Sequence, residues 1–188
     1  MTIYLIRHGK TAANEQHLYC GSSDLPLSEA GAAELREKRY LVENVRFVTS
    51  GMRRADQTLA LLFGAVPYRV EPRFREVDFG IFELKSYAQL KDDPAYQAWI
   101  SGDNEENIPP RGESGAQMTR RVLAAFGELR EDTVVITHGG VIAAIMASLF
   151  PGEGKNRYQW QPGPGGGYVI QDGRYWPLRD CNCAENVV

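Results

Sequence analysis

The sequence predicts an α/β fold in three layers, with a largely parallel sheet and helices on both of its faces. Short β-rich runs alternate with helical stretches along most of the 188 residues, which is the pattern of a layered α/β domain. Hydrophobic residues make up 43% of the chain and charged residues 24%, so it can bury a sizeable core. No internal repeat or linker divides the chain, and we therefore expect one domain over residues 1–188.

The first elements follow from local composition. Residues 2–7 are β-rich and predict a strand, after which comes a polar, glycine-containing loop. Ser28 is a suitable N-cap for a helix over 30–42. A compact run of apolar and β-branched residues over 45–49 predicts the second strand.

A second helix follows that strand directly. Ser50 is its predicted cap, and the helix is expected over 52–63. Its apolar residues share one helical face, the pattern of a helix packed on a sheet. These residues are Met52, Ala55, Leu59, Leu62 and Phe63. Residues 66–70 then predict a short third strand.

Residues 71–113 differ from the rest of the chain, because they are irregular, polar and aromatic. Short helices are expected near 87–90 and 95–100. We interpret the whole segment as an insertion over one end of the sheet. Its aromatic residues Trp99, Tyr87 and Tyr96 are expected to pack over a pocket, with an intermolecular interface as the alternative.

Regular structure resumes at Ser114, which begins another helix. The inner face of this helix carries Met118, Val122, Ala125 and Leu129. Residues 133–137 form the clearest buried strand, and 139–150 an apolar helix directly behind it. Asp172-Gly173 between two β-rich runs, 168–171 and 174–177, is a strong hairpin signal.

Two of the three histidines occupy matching positions. His8 and His138 each follow a predicted strand and precede a glycine, whereas His17 lies in a polar loop. In α/β sheets, ligands bind beyond the carboxyl ends of the strands. We therefore expect His8 and His138 to mark one functional site and His17 to be exposed.

Arginines next to these positions suit a phosphate ligand. Arg7 adjoins His8, and Arg53 follows the second strand at the expected start of a helix, where free N–H groups favour anions. The guanidinium fork suits phosphate oxygens. Arg54 is the rival of Arg53, because position alone does not separate them.

Five blocks of sequence, in order, resemble the signature of the histidine phosphatase superfamily, in its phosphoglycerate mutase-like branch. The resemblance runs along most of the chain, and its order makes it specific. The blocks are Arg7-His8-Gly9-Lys10-Thr11 with Asn14, the segment 21–28 with Gly31, the segment 49–58, the segment 75–80, and Thr137-His138-Gly139-Gly140. Gly112-Glu113-Ser114 before a helix is a further similarity.

The resemblance implies a role for each matching residue. His8 is the expected nucleophile, and Arg7, Arg53 and a charged His138 are expected to surround the phosphate. Glu76 is the expected proton donor to the leaving oxygen, with Glu83 and Asp78 as its rivals. Further phosphate- or substrate-binding residues are expected to be Asn14, Ser22 and Gly139.

One departure from the family pattern concerns Leu84, which stands where many members have glycine. The loop beside the site is therefore expected to be shaped differently. This affects the choice of substrate more than the core chemistry.

The resemblance implies a phosphomonoesterase that works through a phosphohistidine, without a metal or other cofactor. Mutases of this family are longer, so a 188-residue chain is most similar to the compact α-ribazole phosphatase-like proteins of cobalamin biosynthesis. The expected partner is a small phosphorylated metabolite, with α-ribazole 5′-phosphate as the first candidate. Alternatives are a phosphoglycerate mutase, a regulatory phosphatase acting on a phosphorylated protein, and a non-catalytic phosphate-binding or regulatory module.

Charge and cysteine content exclude other classes. The net charge is −3 and the pI is about 5.7, which does not suggest a nucleic-acid partner. No apolar run approaches a membrane span or a signal peptide, so we expect a cytoplasmic protein that is a monomer or a homodimer. Cys20, Cys181 and Cys183 are an odd number without metal-site spacing, and reduced thiols are expected.

Overall fold

The computed structural model describes residues 1–102 and 105–181. Its strands form one sheet with the order β3-β2-β4-β1-β5-β6. The strands are β1 (Thr2–Arg7), β2 (Arg46–Thr49), β3 (Arg69–Val70), β4 (Thr133–Thr137), β5 (Gly167–Gln171) and β6 (Arg174–Pro177). The first four strands are parallel to one another, whereas β5 is antiparallel to β1 and β6 is antiparallel to β5. The predicted α/β class and largely parallel sheet are confirmed.

Helices cover both faces of this sheet. They are α1 (Ala12–Glu15), α2 (Glu29–Arg36), α3 (Arg53–Phe63), α4 (Tyr87–Leu90), α5 (Pro94–Ile100), α6 (Gly115–Gly127) and α7 (Gly139–Leu149). One face of β1 and β4, including Leu5 and Val135, packs with residues of α6 and α7. The opposite face, including Ile6 and Ile136, packs with residues of α3. The alternation of side chains along each strand thus produces two separate apolar layers.

The predicted C-terminal hairpin is present and has the turn that its sequence requires. Asp172 and Gly173 have φ angles of 50° and 71°. Two consecutive residues with positive φ are typical of a type I′ turn, for which Asp-Gly is a preferred sequence. The pairing of Gln171 with Arg174 closes the hairpin.

Helix α2 is shorter than the sequence predicts, because it ends at Arg36 instead of residue 42. After α2, Tyr40 is buried on the α3 side of the sheet. Its hydroxyl donates a hydrogen bond of 2.6 Å to Gly165 O. Nearby, Arg39 N donates to Asp180 Oδ1. These tertiary contacts override the local helical propensity.

Strand β3 is also shorter than the predicted 66–70. Only Arg69 and Val70 pair with β2, opposite Val48 and Thr49. Pro67 has no N–H to donate to a ladder, which accounts for the late start of the strand.

The insertion supplies two short helices, α4 and α5, within 71–113 as expected. Tyr96 is buried there and Trp99 is half-buried, whereas Tyr87 is exposed. No helix in the described part of the chain is both long and apolar enough to cross a membrane. Cys20 and Cys181 are free thiols, and Cys183 lies outside the described residues.

Candidate active site

The two strand-end histidines meet at the carboxyl edge of the sheet. Strands β1 and β4 are parallel neighbours in which Arg7 pairs with Thr137, so the next residue of each strand lies at the same level. The imidazole rings of His8 and His138 are 5.0 Å apart, centroid to centroid. Both side chains are buried, as expected for a reaction centre at a sheet edge.

The ring of His8 is held in one orientation by the backbone. Its Nδ1 lies 2.7 Å from Gly9 O, and because a carbonyl can only accept, Nδ1 carries the proton. Gly9 is itself fixed, since its N–H donates to Thr58 Oγ1 at 3.0 Å. Burial first, then Arg54 and Arg7, lower the pKa of His8 well below its usual value. The neutral ring therefore presents an unprotonated Nε2, the form that a nucleophile needs.

His138 lies between a hydroxyl and a guanidinium. Its Nε2 is 2.9 Å from Ser50 Oγ, and Arg54 Nε donates to its Nδ1 at 3.3 Å. Burial and then Arg54 lower the pKa of His138 well below its usual value. Desolvation and the adjacent cation thus favour a neutral His138 in the ligand-free protein, and a charged His138 beside a bound phosphate stays a prediction.

The expectation that Arg53 is the second arginine of the site is corrected by the structure. The Arg53 side chain is exposed, whereas that of Arg54 is fully buried. Arg54 donates to Ser23 O at 2.7 Å and to Gly21 O at 2.8 Å, besides its contact with His138. Helix α3 starts at Arg53, with Met52 as its N-cap. Arg54 is on the buried face of this helix, together with Ala55, Thr58 and Leu59. Ser50, predicted as the cap, contacts His138 instead.

Arg7 approaches the same edge from β1. Its Nη1 donates to Pro162 O at 2.8 Å. Its Nε is a buried side-chain polar atom without a hydrogen-bond partner in the described part of the chain, an arrangement that a bound acceptor would satisfy. A Cβ on Gly139 would lie 3.1 Å from Arg7 Cζ. Gly139, the first residue of α7, therefore leaves room for the guanidinium.

The structure separates Glu76 from its rivals. Glu76 lines the same pocket as Arg7, and its carboxylate accepts from Val77 N at 3.0 Å and from Gly140 N at 2.9 Å. The carboxylate of Glu83 instead accepts backbone N–H groups of residues 21–23 and of Phe79. Asp78 accepts from Gly80 N and from Ser22 Oγ. Neither rival is among the described residues that line the pocket, so Glu76 stays the expected proton donor.

Of the remaining predicted binding residues, Asn14 lines the pocket and Ser22 does not. Asn14 lines the pocket, and its Oδ1 accepts from Thr11 N at 3.0 Å. Ser22 is exposed, its hydroxyl donates to Asp78 Oδ1, and it is not among the described residues that line the pocket. Leu84 has a φ of 58°, the left-handed conformation that glycine adopts most easily. The loop thus takes a glycine-like path at Leu84, at a strain cost of about 1–2 kcal/mol.

A pocket of about 320 Å³ opens beside Arg7 and Glu76. Its walls come from the loop after α1, from the insertion and from the segment after α7. Sequence patterns assign no role to several of these residues, namely Leu18, Tyr19, Phe79, Arg157 and Gln161. Phe79 belongs to the 75–80 block without an assigned role and the others lie outside the five blocks, so only the folded chain shows that they share one cavity. Among described residues, no cluster of three or more His, Cys, Asp or Glu side chains is placed to hold a metal ion.

The model of the histidine phosphatase superfamily, branch 1, matches residues 3–173 of the chain. The chain belongs to this superfamily. This membership, together with the similarity to curated α-ribazole phosphatases, identifies the chain as an enzyme of the phosphatase class. The match covers His8, Glu76, Arg54 and His138 within one continuous segment.

Relatives with two different assigned activities are similar to this chain. The chain is 31% identical over 162 residues to adenosylcobalamin/α-ribazole phosphatase of Salmonella typhimurium, covering 79% of each chain. It is 28% identical over 166 residues to a probable phosphoglycerate mutase of Yersinia enterocolitica, covering 79% of this chain and 74% of that one. A crystal structure of a putative α-ribazole-5′-phosphate phosphatase from Escherichia coli superposes with a TM-score of 0.82 at 26% identity, over 96% of this chain and 95% of that one.

The lowered pKa values of the two buried histidines predict a loss of stability in mild acid. Below the usual histidine pKa of 6.5, the unfolded chain binds protons that the folded chain does not. The free energy of unfolding should therefore fall as the pH drops below that value, by up to about 1.4 kcal/mol per pH unit for each histidine. Urea unfolding between pH 7.5 and 5.0 measures this. His138→Asn should flatten the slope, and an equally steep slope in that variant would contradict the assignment.

Proposed function

We propose that the protein is a metal-independent phosphomonoesterase that works through a phosphohistidine on His8. The observation that carries this proposal is the His8 ring. It is neutral, its Nδ1 is bound to Gly9 O, and it is flanked by Arg7 and Arg54. In such a site Nε2 is the atom that attacks phosphorus.

The other residues supply the rest of the reaction. The cations of Arg7 and Arg54 balance the charge of the phosphoryl group, with His138 as a further contact. As the P–O bond breaks, a protonated Glu76 gives its proton to the leaving oxygen. Water then attacks the phosphohistidine, Glu76 takes a proton from that water, and inorganic phosphate leaves.

The pocket favours an uncharged, aromatic leaving group over a carboxylate such as phosphoglycerate. The described residues lining the pocket include two cations, Arg7 and Arg157, and Arg157 is ion-paired with Glu105. Glu113, another lining residue, is likewise paired with a cation, Arg121, which leaves Arg7 and Glu76 as the charges that face a ligand. Aromatic side chains form another part of the lining, in which the rings of Tyr19 and Trp99 are 5.8 Å apart. Flat, neutral groups such as nucleoside bases suit this combination.

We therefore infer a phosphatase of nucleoside-type monoesters, for which α-ribazole 5′-phosphate is the first candidate. Incubation with this ester should release phosphate. Incubation with 3-phosphoglycerate and catalytic 2,3-bisphosphoglycerate, followed by phosphorus NMR, should show isomer exchange at least about tenfold slower, because a mutase must exclude water from its intermediate. Rapid isomer exchange with little free phosphate would instead favour the mutase.

Removing part of the aromatic lining should affect nucleoside-type esters selectively. Trp99→Ala should raise KM for the nucleoside ester about tenfold, since base–aromatic stacking contributes roughly 1–3 kcal/mol. It should leave KM for glycerol phosphate nearly unchanged. Trp176→Ala, in β6, is the matched control. An equal effect of Trp99→Ala on both esters would mean that Trp99 supports the fold and does not bind substrate.

Arg7 and Arg54 supply the positive charge at the phosphoryl group in this mechanism, so hydrolysis should survive removal of metals. Activity towards nitrophenyl phosphate should be the same before and after dialysis against EDTA. A loss of activity that Mg²⁺ or Zn²⁺ restores would refute the mechanism.

A further inference from the structure

Arg121, on helix α6, holds the chain segment that carries Glu76. Its Nη1 donates to Arg73 O at 2.8 Å and to Arg75 O at 2.7 Å, and its Nη2 donates to Glu76 O at 3.1 Å. One guanidinium thus binds three carbonyls within four consecutive residues. A planar fork with five N–H donors is the side chain best suited to this task.

Arg121 is itself fixed by a carboxylate. Its Nε donates to Glu113 Oε2 at 3.1 Å, and Nη2 forms an ion pair with Glu113 Oε1. Glu113 also joins the far side of the Glu76 loop, since Glu113 N donates to Asp78 O at 3.0 Å. The side chain of Arg121 is 24% exposed, so these bonds are partly shielded from water.

The Glu76 carboxylate is held at its other end by α7, through Gly140 N. The segment 73–76 has little regular structure of its own, beyond one 3₁₀ turn over Pro72–Phe74. Without Arg121, its carbonyls would bind water and the backbone at Glu76 would be less restricted. Acid catalysis requires the carboxyl within about 3 Å of the leaving oxygen.

We propose that Arg121 is a positioning residue for Glu76, and that it sets how well the enzyme protonates poor leaving groups. Arg121 acts through the backbone and does not touch the substrate. This proposal rests on the proposed function, because it assigns the proton transfer to Glu76.

Leaving-group dependence tests the proposal. Arg121→Ala should lower kcat for an alkyl ester such as glycerol phosphate by roughly 10–100-fold, part of the 10²–10⁴-fold that acid catalysis contributes. For nitrophenyl phosphate, whose leaving group needs little protonation, the loss should be less than about threefold. Glu76→Gln should show the same selectivity, and adding Arg121→Ala to Glu76→Gln should lower kcat no further, because the two residues act as one unit.

Arg120→Ala is the matched control, since Arg120 is the exposed neighbour of Arg121 on the same helix; its kinetics should be those of the wild type. If Arg121→Ala does not fold, Arg121→Lys keeps the charge but cannot bind three carbonyls, and it should show the same selectivity. Equal losses on both esters, or additive losses in the double variant, would overturn the positioning role. Failure of the wild-type enzyme to hydrolyse either ester would refute the proposed function instead.

Discussion

Replacing His8 with alanine should abolish turnover of every phosphate ester, by at least about 10⁴-fold in kcat. The reason is that both ring nitrogens of His138 already have partners, Ser50 Oγ and Arg54 Nε, whereas His8 is bonded through Nδ1 and keeps Nε2 for the attack. The loss should be equal for alkyl and aryl esters, since the nucleophile is needed whatever the leaving group. Steady-state phosphate release from nitrophenyl phosphate measures it.

The phosphorylated intermediate gives a direct check of this assignment. Rapid acid-free quenching of the wild-type enzyme with labelled substrate should trap phosphate on His8 as an acid-labile, base-stable adduct. His17→Asn is the matched control, because His17 is exposed and asparagine tolerates its φ of 53°. A label on Cys20, whose thiol also lines the pocket, would overturn the mechanism.

The histidine pair could be predicted from the sequence, because the ends of β-rich runs are visible there and parallel strands place those ends at one edge of the sheet. His8 and His138 each follow a short β-rich run, and parallel neighbouring strands bring their carboxyl ends to the same edge. The family blocks added Glu76, which the structure places in the pocket. The pairing of β1 with β4 is what makes these distant segments adjacent.

The prediction of Arg53 as the site arginine is wrong, although the helical phase of α3, which favours Arg54, can be read from the sequence. The buried residues of α3 are Arg54, Ala55, Thr58 and Leu59. At about 100° per residue, Arg53 lies almost opposite to the centre of that face, whereas Arg54 lies at its edge and four residues before Thr58. The position of Arg53 at the helix start favours it as an anion ligand, but the phase of the apolar face places Arg54 on the buried side of α3.

The substrate pocket could not be predicted in the same way. Its walls come from three separate loops, whose residues have no common period or motif. Similarly, α2 ends early because Tyr40 finds a buried site and a partner in Gly165 O. Such contacts depend on the assembled sheet, and local propensity carries no information about them.

Arg54→Ala should cost about 3–5 kcal/mol of transition-state stabilisation, which is roughly 10²–10³-fold or more in kcat/KM. Arg54 is fully buried and binds Gly21 O, Ser23 O and His138 Nδ1. Its removal would take a fixed cation from beside the phosphoryl group and free the ring of His138. Arg53→Ala, at an exposed side chain, should change kcat/KM less than twofold, as surface substitutions usually do.

Arg54→Lys separates the loss of charge from the loss of geometry. Lysine keeps the positive charge, but a single ammonium cannot reach both loop carbonyls and His138 in the planar arrangement of a guanidinium. We expect it to recover less than a tenth of the lost activity, with its fold confirmed by thermal melting and circular dichroism. Weaker binding of inorganic phosphate should accompany both Arg54 variants. If Arg53→Ala were instead the damaging change while Arg54→Ala remained active, the cation at the phosphate would be Arg53, and α3 would have to be rotated by about 100° from its position in this structure.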